Sequence, residues 1–414
     1  MQKGLSRPKN QIRCLLLEGI STTATDIFDA AGYTNLEVLP TALDEAALIE
    51  RLKGVHMLGI RSRTRLTEKV LAAATSLIAV GCFSVGTNQV ELPAAGRRGV
   101  PVFNAPFSNT RSVAELTIAE IVMLMRGAFA KSMSAHRGGW LKTAVASHEV
   151  RGKTLGIVGY GNIGSQLAIL AEAMGMKVVY FDRTDKLRHG NVEPVESLAR
   201  LLAMSDVVSL HVPETPETIG MFREAEIRAM KPGSFLINNA RGSLVDIDAL
   251  ARALDDGHLA GAAIDVFPKE PKSNSESFES PLRGRDNVIL TPHVGGSTEE
   301  AQERIGAEVA RKLVEYSDVG STIGAVNFPQ VQLPKGTRAT RFIQVQRNLP
   351  GELRKLNDVF ARRHINIVAQ HYQTDGEIGY VVLDAEGDVE DGRDVVREIR
   401  SLDGTIRARL LNRV

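Results

Sequence analysis

Short apolar runs alternate with longer amphipathic stretches from Ile12 to about Phe103. The runs IRCLLLEG, LEVLP, VHMLGI, LIAVG and VPVFN are short and aliphatic, so they predict strands, while the stretches between them carry apolar residues at helical spacing. Strand and helix in alternation predict a parallel, doubly wound α/β lobe of flavodoxin-like type over residues 11–107. A long apolar helix is expected from about Ser112 to Gly127, followed by a polar stretch that holds the single tryptophan, Trp140.

A second alternating series then begins. LGIVG (155–159), KVVYF (177–181), VVSLHV (207–212), SFLIN (234–238), AAIDVF (262–267) and NVIL (287–290) predict six strands, separated by helical patterns such as QLAILAEAMG and IDALARALDDG. Helical crossovers between such strands build a doubly wound sheet, commonly in the order 3-2-1-4-5-6, over residues 108–298. The helix after it, STEEAQERIGAEVARKLVEYSD, has a capping signature in Ser297 with Glu300 three residues on. It is expected to return the chain to the first lobe and complete it with residues 299–318. Residues 319–338, rich in Gly, Pro, Ser and Thr, predict a linker. Beyond it RFIQVQ, PGELRKLNDVFARR, INIVAQHY, EIGYVVLDAE, DGRDVVREIRSL and TIRARLL spell the ferredoxin-like βαββαβ order over residues 339–414.

Charge narrows the function more than the fold. The 50 basic side chains nearly cancel the 49 acidic ones, with no long block of one sign. Such a balance lacks the electrostatic footprint of a chain that binds nucleic acid or an anionic membrane. Cys14 and Cys82 stand in unrelated contexts, which excludes a disulfide framework and a cysteine zinc site and fits a reducing compartment, the cytoplasm. No metal is expected. The opening MQKGLSRPKN has no apolar core of signal-peptide type, and the most apolar helical stretch, VAELTIAEIVMLM, carries Glu115 and Glu120.

The second series holds the chemistry. Gly159, Gly161 and Gly164, with Asn162 and Ile163 between them, follow a strand and open a helix, and Asp182 stands at the end of the next strand. A dinucleotide requires this pattern: a tight turn, a close approach of backbone to pyrophosphate, helix N-terminal N–H groups facing the anion, and an acid for the ribose hydroxyls. Asp182 would repel a 2′-phosphate, which favours NAD over NADP. Arg241, Glu270 and His293 follow the fourth, fifth and sixth expected strands, at the C-terminal edge where open α/β sheets bind ligands. A fixed cation can orient a substrate carboxylate, an imidazole can take a hydroxyl proton, and a carboxylate on its other nitrogen fixes the tautomer and raises the pKa.

This Arg, Glu and His spacing behind GYGNIG resembles the D-isomer-specific 2-hydroxyacid dehydrogenases. The likeness extends to GIRSRT (59–64), VGCFSVGTNQV (80–90), FNAPFSNTRSVAE (103–115), HVPET (211–215), MKPGSFLINNARG (230–242), AGAAIDVF (260–267) and LTPHVGGST (290–298), and the C-terminal unit resembles an ACT regulatory domain. The resemblance implies an NAD-dependent oxidoreductase of serine biosynthesis acting on 3-phosphoglycerate, with 2-oxoglutarate reduction as a side activity, L-serine as feedback effector and a homotetrameric assembly. It extends the cofactor contacts to His211, Asn239, Ala240, Arg241, Asp265, His293, Val294, Gly295 and Gly296. Substrate contacts fall on Arg61, Ser62, Arg63, Asn109, Lys142 and Gly295, and effector contacts on Gln346, Asn348 and Asn366. Gln346 departs from the histidine of related serine-inhibited enzymes, which implies weaker serine binding. Two alternatives share the scaffold: a hydroxypyruvate or glyoxylate reductase, and an NAD-sensing corepressor resembling the C-terminal-binding proteins. Arg61, Arg63 and Lys142 speak for a phosphorylated dianion, and the ACT-like unit for metabolic feedback.

Overall fold

The computed structural model describes residues 7–271, 275–334, 339–386 and 392–411. The end of the expected linker, 335–338, and Asp391 at the head of the last expected helix lie outside the described residues. The chain divides into two compact units, Met1–Ser108 with Gln302–Val414, and Asn109–Ala301.

In the first unit the five aliphatic runs form strands β1 (Cys14–Leu16), β2 (Leu36–Val38), β3 (Met57–Ile60), β4 (Ala79–Cys82) and β5 (Val102–Phe103). They pair in parallel in the order β2-β1-β3-β4-β5, a flavodoxin-like winding. Between them run α1 (Thr22–Ala30), α2 (Glu45–Arg51), α3 (Glu68–Ala73) and α4 (Leu92–Arg97). Three of these helices begin at a side-chain cap, with Ser21, Asp44 and Thr67 accepting from first-turn N–H groups. Strands β1, β3, β4 and β5 are buried on both faces, which explains continuous apolar runs in place of alternation.

The second unit starts with α5 (Thr110–Met125) and α6 (Ala128–His136) and continues as β6 (Thr154–Val158), α7 (Asn162–Ala173), β7 (Lys177–Phe181), β8 (Glu193–Pro194), α8 (Leu198–Met204), β9 (Val207–Leu210), α9 (Glu224–Ala229), β10 (Ser234–Asn238), α10 (Ile247–Asp255), β11 (Leu259–Ile264) and β12 (Val288–Leu290). Its sheet has seven strands in the order β12-β11-β10-β9-β6-β7-β8. The expected set lacked β8, two exposed residues on the outer edge with no apolar run to announce them. Strand β9, expected third, is therefore fourth and pairs with β6. Arg241, Glu270 and His293 follow the fifth, sixth and seventh strands, still at adjacent positions on one edge of the sheet.

Helix α11 (Glu299–Val319) carries the chain from the second unit to the first. Its cap is Thr298, whose Oγ1 accepts from the Ala301 N–H at 3.2 Å, one residue later than the expected Ser297. Ser297 closes the preceding turn through its N–H to Val294 O at 2.8 Å. A Cβ on Gly81 of β4 would lie 2.6 Å from Val309 Cγ1, so glycine there lets α11 seat on the sheet. The stretch expected to be a linker is packed as far as it is described. Ala325, Phe328, Val331 and Leu333 join the core under α11, and the Val326 N–H donates to Val102 O at 2.8 Å beside β5.

The C-terminal elements are β13 (Thr340–Arg347), α12 (Glu352–Arg362), β14 (Ile367–Asp375), β15 (Ile378–Ala385), α13 (Gly392–Ser401) and β16 (Thr405–Leu411), an antiparallel sheet in the order β14-β15-β13-β16. One face packs on the two helices through Phe342, Leu356, Phe360, Val381 and Ile399. The other, with Ile343, Val345, Tyr380 and Val382, joins the core that also holds Tyr316 of α11. Buried Arg341 grips Asp384 with two bonds of 2.7 and 2.8 Å, tying β13 to β15. No helix among the described residues is long and apolar enough to cross a membrane.

Candidate active site

The turn after β6 has the form a dinucleotide needs. Gly159 has φ +94°, and a Cβ there would sit 2.7 Å from His211 O, so only glycine allows the turn to pass the end of β9. A Cβ on Gly164 would lie 2.4 Å from Gly159 O, which fixes how closely α7 approaches the strand, while the space around Gly161 is open. Helix α7 begins with no side-chain cap at Gly161, so its first N–H groups can meet an anion. Asn162 is exposed and Ile163 partly buried at this start. Asp182 Oδ2 accepts from Tyr160 N at 2.9 Å, and Oδ1 from Thr184 N and Oγ1 at 3.0 and 3.1 Å. A carboxylate accepts about four hydrogen bonds, so Asp182 steadies the glycine turn and keeps capacity for a ribose hydroxyl. His211 bonds Ser209 Oγ at 2.8 Å through Nε2, and its buried Nδ1 has no partner among the described residues. Burial pushes this imidazole down to about 4, so it is neutral. These groups fit NAD.

Arg241, Glu270 and His293 follow the ends of β10, β11 and β12. A Cβ on Gly242 would lie 2.1 Å from the Phe267 carbonyl carbon, so the loops after β10 and β11 pack backbone on backbone and bring Arg241 toward Glu270. Asn238 braces the first loop, with Nδ2 donating to Arg241 O at 2.9 Å and Oδ1 accepting from Ala240 N at 3.1 Å. Arg241 Nη1 donates to Ala240 O at 2.7 Å. His293 Nδ1 lies 3.1 and 3.0 Å from the two Glu270 oxygens, and Phe267 N donates to Glu270 Oε1 at 3.2 Å. The bond from Glu270 holds the imidazole above its ordinary pKa, against burial, which works the other way, and against the nearby charge of Arg241. Burial pushes the Glu270 carboxyl up, but its bond and charge pairing with His293 outweigh this and leave it below the usual range.

Asp265 organises the turn that presents His293. Its Oδ1 accepts from Thr291 Oγ1 at 2.7 Å and Val294 N at 2.8 Å, and its Oδ2 from Gly295 N at 2.8 Å. The His293 N–H donates to Asp265 O at 2.8 Å, with His293 at φ +57°. A histidine in the left-handed region is uncommon and is held there by this set of bonds. Gly296 abuts Asn109, whose Nδ2 would meet a Cβ at 2.6 Å. Lys142 is exposed beside Trp140, itself 85% exposed, on a stretch without helix or strand. Among the described residues Lys142 bonds none of Arg241, Glu270 and His293.

Glu18, Thr117 and Glu120, to which the sequence reading gave no role, shape these loops. In the first unit Glu18, at φ +67°, accepts from the N–H groups of Arg61, Arg63 and Thr64 at 3.2, 2.9 and 2.9 Å. It thereby folds the loop that carries Arg61, Ser62 and Arg63, with Ser62 and Arg63 exposed. In the second unit Asn239, expected to face the cofactor, turns its side chain inward. Its Nδ2 donates to Glu120 Oε2 at 2.7 Å and Thr117 Oγ1 at 3.0 Å, which leaves the backbone for any cofactor contact.

In the C-terminal sheet Gln346 is fully buried on β13, and neither amide atom has a partner among the described residues. Asn348 Nδ2 donates to Gly376 O at 3.0 Å, and Asn366 Nδ2 to Glu386 Oε2 at 2.9 Å. Gln346 pairs with Gly379 at one end of β15, whereas Asn366 O accepts the Glu386 N–H beyond the other end. Seven residues of strand, roughly 23 Å, separate those two positions.

Residues 118–295 match the NAD binding domain of D-isomer specific 2-hydroxyacid dehydrogenases, and residues 343–407 match an AHAS small subunit-like ACT domain. The chain belongs to the D-isomer-specific 2-hydroxyacid dehydrogenase family and is an NAD-dependent oxidoreductase. Within that class it is 56% identical over 411 residues to D-3-phosphoglycerate dehydrogenase of Haemophilus influenzae, across 99% of this chain and 100% of that one. It is 55% identical over 408 residues to the enzyme of the same name from Escherichia coli K12, across 98% of this chain and 99% of that one. Among solved structures, D-lactate dehydrogenase from Aquifex aeolicus complexed with NAD and lactic acid gives a TM-score of 0.68 at 29% identity, covering 77% of this chain and all of that one, 100%.

Proposed function

We propose that this protein oxidises D-3-phosphoglycerate to 3-phosphohydroxypyruvate with NAD, the first step of phosphorylated L-serine biosynthesis, in the cytoplasm. The observation that carries the reading is the His293–Glu270 pair, 3.0 Å apart on neighbouring strand ends in the unit that bears the glycine turn, in a chain so similar to D-3-phosphoglycerate dehydrogenases. NAD, when bound, supplies the hydride acceptor. His293 removes the hydroxyl proton as the hydride departs from the same carbon and returns it in reduction. Glu270 holds Nδ1 protonated so that Nε2 is the free base, and stabilises the imidazolium that results. Arg241 pairs with the substrate carboxylate and polarises the developing carbonyl. Arg61, Ser62 and Arg63, with Asn109, Lys142 and Gly295, are assigned to substrate, and Arg61 and Arg63 with Lys142 to its phosphate.

In this reading residues 11–107 with 299–318 bind substrate, 108–298 bind NAD and 339–414 form an L-serine sensor. Asn348 and Asn366 stand at opposite ends of one sheet, so a shared serine site requires two sheets joined edge to edge through β14. The exposed Val368 on that strand, 54% accessible, suits such a join, and a homotetramer follows if the NAD-binding units also pair. The test is NADH formation by the purified chain from D-3-phosphoglycerate, with the keto product trapped, beside D-glycerate and D-2-hydroxyglutarate. Strong preference for the phosphorylated acid supports the assignment. Preference for glycerate would point to the hydroxypyruvate reductases instead, and no turnover at all would favour a nucleotide sensor.

A further inference from the structure

Glu120 sits in the middle of α5 and is only 3% exposed, an unusual place for a carboxyl. Its Oε2 accepts from Asn239 Nδ2 at 2.7 Å. Its Oε1 is shielded from solvent and has no partner among the described residues, and Asn239 Oδ1 is in the same position. Two orphaned acceptors thus belong to two groups that already share one hydrogen bond. With an ionised carboxyl the pair is unsatisfied on both sides, a costly state for buried polar atoms. A single proton resolves it, because a carboxylic acid donates through O–H and an amide oxygen accepts.

We propose that Glu120 keeps its proton in the folded enzyme and donates it to Asn239 Oδ1, closing a two-bond acid–amide ring that fixes the turn presenting Arg241. The surroundings agree. The side chains of the neighbouring elements that share the core with α5, Leu167 and Ala171 of α7, Ile237 of β10, Ala263 of β11 and Ile289 of β12, are apolar. Thr117, one turn earlier, is neutral and spends its hydroxyl proton on Val113 O at 2.8 Å. The one charge that acts on Glu120 among the described residues is Asp265, of like sign. Burial first, opposed by the Asn239 bond and reinforced by Asp265, pushes the carboxyl up to about 7.

The consequence reaches Arg241 through two hydrogen bonds and the backbone between them. Glu120 holds the Asn239 side chain, Asn239 precedes Ala240, and the Ala240 carbonyl accepts from the Arg241 guanidinium at 2.7 Å. Glu120 is therefore a positioning residue. This function for it rests on the role proposed above for Arg241, but the proton itself does not.

Infrared difference spectra of the full chain, wild type against Glu120→Gln, test the proton directly. At about pH 6 the wild type should show the carbonyl band of a protonated carboxylic acid that the variant lacks, and the band should fade toward about pH 9. Absence of the band at pH 6 would overturn the proposal, whatever the enzyme's substrate proves to be. Asn239→Ala, which leaves the acid but removes the amide, should move the band to higher frequency, and an unmoved band would overturn the ring. For positioning, the carboxyl is raised in the folded state, so its contribution to stability is full below the ordinary carboxyl range and is lost as pH rises through about 7. Melting temperature and kcat/KM of the wild type should accordingly decline with rising pH relative to Glu120→Gln, whose amide makes both bonds without titrating. Parallel profiles would refute the pH-dependent role.

Discussion

Replacing Glu270 by glutamine isolates the charge of the His293–Glu270 pair from its geometry. A glutamine oxygen can still accept from Nδ1–H, so the imidazole keeps its tautomer while the negative charge disappears. With 3.0 Å between the partners, an effective dielectric of about 20 sets an upper bound of roughly 5 kcal/mol. The two side chains are 51% and 37% exposed, so solvent screening leaves about 1 kcal/mol at most. Glu270 holds the imidazole above its ordinary pKa, so the loss of this charge lowers it. In the proposed mechanism oxidation needs neutral His293, so the acid limb of kcat/KM for the hydroxy acid should move to lower pH in Glu270→Gln. Reduction needs the imidazolium, so above both pKa values its rate should fall by up to about fivefold, the equivalent of that energy. Steady-state profiles in both directions, with NADH binding measured separately, supply the assay. An acid limb at the same pH in both enzymes would refute the idea that Glu270 raises the His293 pKa.

His293→Asn should bind NADH nearly as before and lose about 10²–10⁴ in turnover, the usual share of general acid–base catalysis, as measured by rate and by fluorescence titration. Asp182→Ala should weaken NAD by about tenfold to a hundredfold, because it loses a bond to a charged acceptor and the brace on the Tyr160 N–H, and should weaken NADP far less. Gln346→His should tighten L-serine binding in calorimetry, since it shortens the buried side chain and lowers the rotamer entropy lost on ordering; unchanged or weaker binding would remove this position from the effector site.

What the sequence disclosed depended on whether the signal was local. The aliphatic runs of the first lobe and the glycine pattern behind LGIVG are read from neighbouring residues, and so is the succession of Arg241, Glu270 and His293 behind consecutive strands. Strand β8 escaped because two edge residues, Glu193 and Pro194, bury nothing. The cap moved from Ser297 to Thr298 because the N–H of Ser297 closes a turn instead, a choice made by the loop around Asp265. Residues 320–334 have the composition of a linker, yet Phe328 and Val331 find a core built from β-strands and a helix far away in the chain. Glu18 and Glu120 are ordinary acids in the sequence. Their importance lies in partners 43 to 46 and 119 residues away, respectively, which no local pattern encodes.

In the proposed reaction a hydride leaves the hydroxyl-bearing carbon of D-3-phosphoglycerate while His293 takes the hydroxyl proton. Its most direct test uses substrate deuterated at that carbon, with the mass of the NADH formed by the purified enzyme as the readout. One deuterium should be transferred to each NADH, and His293→Asn should make the same labelled product far more slowly. NADH without deuterium, or labelled NADH formed by His293→Asn at the wild-type rate, would contradict it.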